Sequence, residues 1–329
     1  MVRQLSLSDD DNIAALPTFA ALDVRAIMEN ERRGASIQVN DEYFRGQELA
    51  IDAFETPSPL TERQNIASQS RRFYEQIQID IDSLSHENLK SASTQYRHLL
   101  QQLPEVRYLK KQFPGVCFVV PEWSRTPTEV KYGARIYFFR KGKSPAPSDI
   151  LDQNIDAVVT ENRSKFDRYR GALHGYPECC VDYFSGYERN EDTGPELDAV
   201  EPIAEFIREN EVSTEEDIPS LSIDDIVNGI FESPHVYAYF AREFYPEPGC
   251  DQARHRGVSI YDTLCKLYPV HIVTNHFQIN AGWSYLMAEA TVQDTKISSC
   301  PSPGSLGREH LLFHLPLAVT IQLYQSDAV

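Results

Sequence analysis

Between residues 61 and 140 the spacing of apolar side chains changes character, and that change restricts the chain to folds that combine helices with a small sheet. From Thr61, a residue able to cap a helix, "ERQNIASQSRRFYEQIQIDIDSL" and then "HENLKSASTQYRHLLQQL" repeat apolar residues every three or four positions. This predicts an antiparallel pair of amphipathic helices ending near Pro104. The period then breaks. "GVCFVVPEW" and "ARIYFFRKGK" are short β-branched and aromatic runs bounded by Gly and Pro, the pattern of two strands in a hairpin or small sheet.

The flanks extend this reading. Residues 1–60 are polar and acidic, with "SLSDDDN" and "ETPSPLTE", and are expected to form a peripheral arm carrying one short helix around 18–33. Residues 61–145 hold the helical pair and the strands. The Pro-rich stretch "KGKSPAPSD" marks the boundary to a larger mixed unit over 146–329. There, 150–210 is expected to be mainly helical, with helices also at "HVYAYFAREF" and "DQARHRGVSIYDTLCKLY", and strands near "VHIVTNHFQI" and "EHLLFHLPLAVTIQLY". The fold class predicted is α+β and rich in helix.

Chemistry concentrates in the third unit. In "LHGYPECCVDYF", Pro177 suits the first position of a helix and Gly175 permits the bend before it, so Cys179 and Cys180 fall in the first helical turn. Unpaired N–H groups and the positive end of the helix dipole are expected to favour their thiolate forms there. "FYPEPGCDQARHRG" repeats the device: a Pro-Gly turn places Cys250 just before another helix, with Glu247 three residues earlier. A histidine lies upstream in each case, His174 and His235. Cys179, Cys180 and Cys250, with a fourth group from His174, His235, Glu247 or His255, satisfy the ligand types of a zinc site or an iron–sulfur cluster.

These two segments resemble the hallmarks of an uncharacterised, mostly archaeal family with a G-[YF]-P-x-C-C motif and a downstream P-C-x-x-x-C-x-x-A-type motif. The resemblance covers about residues 165–265 and implies that Cys179, Cys180 and Cys250 are motif cysteines, with Ala253 and Gly257 at the small positions. Glu247 stands where the family pattern implies a further cysteine, a departure that favours zinc over an all-cysteine cluster. The resemblance implies no particular reaction.

Two other readings of the same residues stand beside metal binding. One is a metal-free enzyme in redox or sulfur-transfer chemistry, using Cys179 or Cys180 as nucleophile and His174 or His235 as base. The other is an interaction module in which the cysteines only pack. Cys117 and Cys265 lie in apolar runs and read as core groups, and Cys300 as a loop thiol. His271, His276, His310 and His314 read as structural.

Charge limits the partners. With 49 acidic and 31 basic residues the net charge is −18, which repels nucleic acid at long range. One basic-aromatic stretch, "EVKYGARIYFFRKGK" at 129–143, is the single foothold for it. An acidic chain with few lysines also suits a salt-rich cytoplasm, as in a halophilic archaeon. No secretory leader and no apolar run of membrane-spanning length is visible, so a cytoplasmic protein is expected. P-loop, dinucleotide-binding, H-E-x-x-H and G-x-S-x-G motifs are absent, which disfavours the common nucleotide-dependent and hydrolase classes.

Overall fold

The computed structural model describes residues 16–39, 79–101, 115–187, 194–209, 234–241 and 244–270, with isolated positions between 106 and 110 and between 273 and 284. The chain has an α+β fold rich in helix. In order it forms α1 (Leu16–Met28), β1 (Gly34–Val39), a 3-10 turn (Ile81–Ser83), α2 (His86–Leu100), β2 (Cys117–Arg125) and β3 (Val130–Phe139). Then follow α3 (Pro147–Val159), α4 (Arg163–His174), α5 (Glu178–Gly186), α6 (Pro195–Glu209), a 3-10 turn (Pro234–Ala238) and α7 (Asp251–Cys265).

The strands make an antiparallel sheet in the order β1-β3-β2, with Ile37, Ile136 and Val119 side by side. Side chains alternate across it. One face packs on α2 and α3, where Trp123 Nε1 donates to Ser93 Oγ at 2.8 Å. The edge strand β2 is closed by Asn154 of α3. Its side chain accepts from the Trp123 N–H at 2.8 Å and donates to the Trp123 carbonyl at 2.9 Å, as a neighbouring strand would. The opposite face, with Arg135, Tyr137 and Phe139, meets α4 through an ionic chain in which Glu122 bridges Arg135 and Arg170.

Among the described residues two apolar cores result. The first gathers the sheet, α1 to α3 and Phe166 of α4. The second gathers Val200, Phe240, Ile260, Leu264 and Phe277, with Cys180 among them. Ile150, Leu151 and Ile155 of α3 pack in the same interior as the strands, and Ala26 of α1 reaches the second core.

Several expectations are corrected. Residues 16–39 are no peripheral arm: α1 buries Leu22, Val24 and Ile27, and β1 completes the sheet. The first helix of the pair at 61–103 falls largely outside the described residues, and its end, 79–84, is extended chain with one 3-10 turn; the second helix is α2. At "HVYAYFAREF" the described residues form a 3-10 turn and no α-helix, since Val236, Tyr239, Phe240 and Phe244 are all buried and leave no polar face for a surface helix. The strand expected near 270–279 is helical at its described positions, where Val273, Phe277 and Ala281 recur every fourth residue as a buried stripe. That packing overrides the strand preference of its β-branched residues. The strand expected at 309–324 lies outside the described residues.

In the stretch 129–143 the exposed basic residues are Lys131, Arg140, Lys141 and Lys143. Tyr132, Tyr137, Phe138 and Phe139 are buried, Arg135 is buried against Glu122, and Lys131 pairs with Glu129. Among the described residues no helix is long and apolar enough to cross a membrane.

Candidate metal centre

The turn that presents the paired cysteines is built by Gly175. α4 ends in a Schellman arrangement: the Tyr176 N–H reaches the Gly171 carbonyl at 3.0 Å and the Gly175 N–H reaches Ala172 at 3.2 Å. Gly175 takes the required left-handed conformation, φ 72°. Pro177 is the N-cap of α5 rather than its first helical residue, its carbonyl accepting from Val181 at 3.0 Å. The two helices cross closely, since a Cβ on Gly171 would lie 2.7 Å from Val181 Cγ2. Cys179 and Cys180 are thereby fixed in the first turn of α5.

The second arm is the turn Glu247-Pro248-Gly249-Cys250. The Cys250 N–H donates to the Glu247 carbonyl at 3.0 Å and Gly249 has φ 71°, the Pro-then-left-handed-Gly order of a type II turn. Cys250 is the N-cap of α7, its Sγ accepting from the Ala253 N–H at 3.5 Å. Gly257 lets α7 lie directly on the Tyr237 carbonyl.

The two arms bring three sulfur atoms together. Cys179 Sγ lies 3.4 Å from Cys250 Sγ and 4.0 Å from Cys180 Sγ, and all three lie within 4.8 Å of one another. Such a group can hold a metal ion. A Zn–S bond of about 2.3 Å in tetrahedral geometry puts sulfur atoms about 3.8 Å apart, the scale seen here. Cys180 is buried, whereas Cys179 and Cys250 are half-buried and face the surface. The Glu247 N–H donates to Cys180 Sγ at 3.4 Å, and Gln252 Oε1 lies 3.8 Å from Cys179 Sγ.

Electrostatics correct the expectation that the helix ends lower these thiol pKa values. Burial, and then the neighbouring Cys250 sulfur, push Cys179 above the usual thiol range. Burial pushes Cys180 far higher, although the Glu247 N–H works the other way. Desolvation and mutual repulsion outweigh two helix N-termini unless a cation joins the three sulfurs.

The other expected ligands do not join this group. His174 closes α4 on the far side of the Gly175 bend, buried between the rings of Tyr137 and Tyr176. Neither ring nitrogen has a hydrogen-bond partner among the described residues, and burial followed by Arg32, Arg170 and Arg135 holds its pKa well below the ordinary value. His235 and His255 are exposed. Glu247 contributes its backbone N–H, which donates to Cys180 Sγ. Gln252, two residues after Cys250, carries no ligand signature in the sequence because its side chain is an uncharged amide.

The remaining cysteines behave as packing groups. Cys117 is buried in the sheet core and burial pushes its thiol up to about 11; burial also raises Cys265. His276 is buried beside Asp23, which pairs with Arg32. Cys300, His271, His310 and His314 lie outside the described residues.

Comparison of the chain with protein-family models, curated proteins and solved structures found no match.

Proposed function

We propose that this is a cytoplasmic metal-binding protein in which Cys179, Cys180 and Cys250 hold one thiophilic divalent ion, zinc before iron. The observation that carries this reading is the mutual approach of three sulfurs from two separate helix starts, within 4.8 Å. Thiolate donors select soft and borderline ions. Three thiolates around a divalent cation carry one net negative charge, and each helix N-terminus offers about half a positive charge. The starts of α5 and α7 together match that excess.

Spacing favours a single ion over an iron–sulfur cluster. Thiolates on separate irons of a cluster lie at its outer corners and need wider separation than a group this tight. The metal-free nucleophile is disfavoured by the same burial that raises Cys179 and Cys180, because thiols held protonated at neutral pH attack slowly. The two-motif resemblance points to the same residues, Cys179 and Cys180 through G-Y-P-x-C-C and Cys250 through the downstream motif.

Elemental analysis of protein purified without oxygen, beside a Cys180→Ser variant, tests the reading. One equivalent of zinc in the parent and a marked loss in the variant is the expected result. Both preparations metal-free, even after incubation with zinc, would remove it.

A further inference from the structure

Three sulfur ligands leave a four-coordinate ion one ligand short among the described residues. The surface beside them carries a feature that is unusual for a chain of net charge −18. Two arginines converge on Gly175, four residues before Cys179. Arg256 Nη1 donates to the Gly175 carbonyl, and the Arg33 stem packs against Gly175 so closely that a Cβ there would lie 2.9 Å from Arg33 Cγ. Both side chains are exposed. Arg256 follows Gln252 by one turn on α7, so the two share a face, and Gln252 Oε1 is the polar atom 3.8 Å from Cys179 Sγ. The face of α7 that sets the Gln252 amide beside Cys179 thus also carries Arg256, whose guanidinium is held on the Gly175 carbonyl.

Resting on the metal reading above, we infer that the ion's fourth ligand is an exogenous low-molecular-weight thiol carrying a carboxylate, its sulfur on the metal and its acid group held by Arg256 and Arg33. An ion chosen by three thiolates prefers a fourth soft donor. The guanidinium fork suits a carboxylate. Of the nearby acids, Asp251 pairs with Arg254. Glu178, exposed in the first turn of α5, opposes the anion and keeps its hold modest. Ligation is a substitution without electron transfer. The thiol S–H gives its proton to solvent as the sulfur–metal bond forms, so no oxidant or reductant is required.

The test loads the full chain with Co²⁺, whose absorption reports each sulfur ligand, and titrates it with 3-mercaptopropionate or with neutral 2-mercaptoethanol. Both thiols should change the spectrum, and the carboxylated one should bind about tenfold tighter. In Arg256→Met that preference should fall to about twofold or less, with neutral-thiol binding unchanged. Arg33→Met, which keeps the stem against Gly175, should lower it as well and serves if Arg256→Met unfolds. Cobalt binding with no response to either thiol would overturn the inference while leaving the metal site standing. Equal affinity for the two thiols in the parent protein would also overturn it. Failure of cobalt to bind at all would instead strike the metal reading.

Discussion

Cys250 Sγ accepts the Ala253 N–H at 3.5 Å and so caps α7 with the same atom that faces Cys179. The two roles respond differently to one substitution. Serine is a stronger N-cap than cysteine and a far poorer ligand for a thiophilic ion. Cys250→Ser should therefore leave the thermal stability of metal-free protein unchanged or slightly raised, yet weaken zinc binding at least about 100-fold, beyond the usual loss from an outer-shell change. Competition against a chromophoric chelator and a melting curve in chelator measure the two effects. Unchanged zinc affinity would return Cys250 to a packing role.

Metal binding should be steeply dependent on pH. Burial raises Cys179 and Cys180, so both carry protons in the metal-free protein at neutral pH and must lose them to ligate. Apparent affinity should thus rise with pH, by about two log units per pH unit from these two thiols alone. Titration calorimetry in buffers of different ionisation enthalpy should show release of at least these two protons. Release of none at pH 7 would mean that the thiolates already exist without the ion.

The paired helix starts were legible because their signals are local: Pro177 after Gly175, and Pro248-Gly249 before Cys250, each dictate a turn followed by a helix. That the two starts meet was suggested by matching residue types and needed the fold to establish. His174 misled for a geometric reason. It lies five residues from Cys179 in sequence, but the left-handed Gly175 reverses the chain between them and sends the imidazole toward the sheet. β1 was hidden because its six residues, with Ser36 and Gln38 facing Arg135, sit in polar surroundings and gain their strand character only from pairing with β3. The run near 273–281 shows the converse, with β-branched residues drawn into a helix by a buried stripe.

Gly257 is required by close approach. A Cβ at this position would fall 1.7 Å from the Tyr237 carbonyl oxygen and 2.7 Å from its carbon, and the obstacle is backbone. The 3-10 turn or α7 must move to admit it. Gly257→Ala should lower stability by about 2–4 kcal/mol and, by displacing the helix that Cys250 caps, weaken metal binding too. A melting temperature within a degree or two of the parent would contradict this packing. Gly186→Ala, where a Cβ meets nothing within 4 Å, is the control.

His174 should make the protein sensitive to acid. Its ring has no hydrogen-bond partner among the described residues, and burial, then the field of Arg32, Arg170 and Arg135, depresses its folded pKa below 6.5. A depressed base binds a proton in the unfolded chain before it does so in the folded one. Stability is therefore fully present above pH 6.5 and falls as the pH drops below it. One such proton gives a slope of about 1.4 kcal/mol per pH unit. His174→Phe keeps an aromatic ring between Tyr137 and Tyr176 without a titratable nitrogen. Between pH 6.5 and about 5, where carboxylates begin to add their own protons, the unfolding free energy of this variant should decline less steeply than that of the parent by about that slope. Denaturant unfolding of metal-free protein at several pH values gives the difference directly. Parallel pH profiles would show that the imidazole already finds a partner that stabilises its charged form.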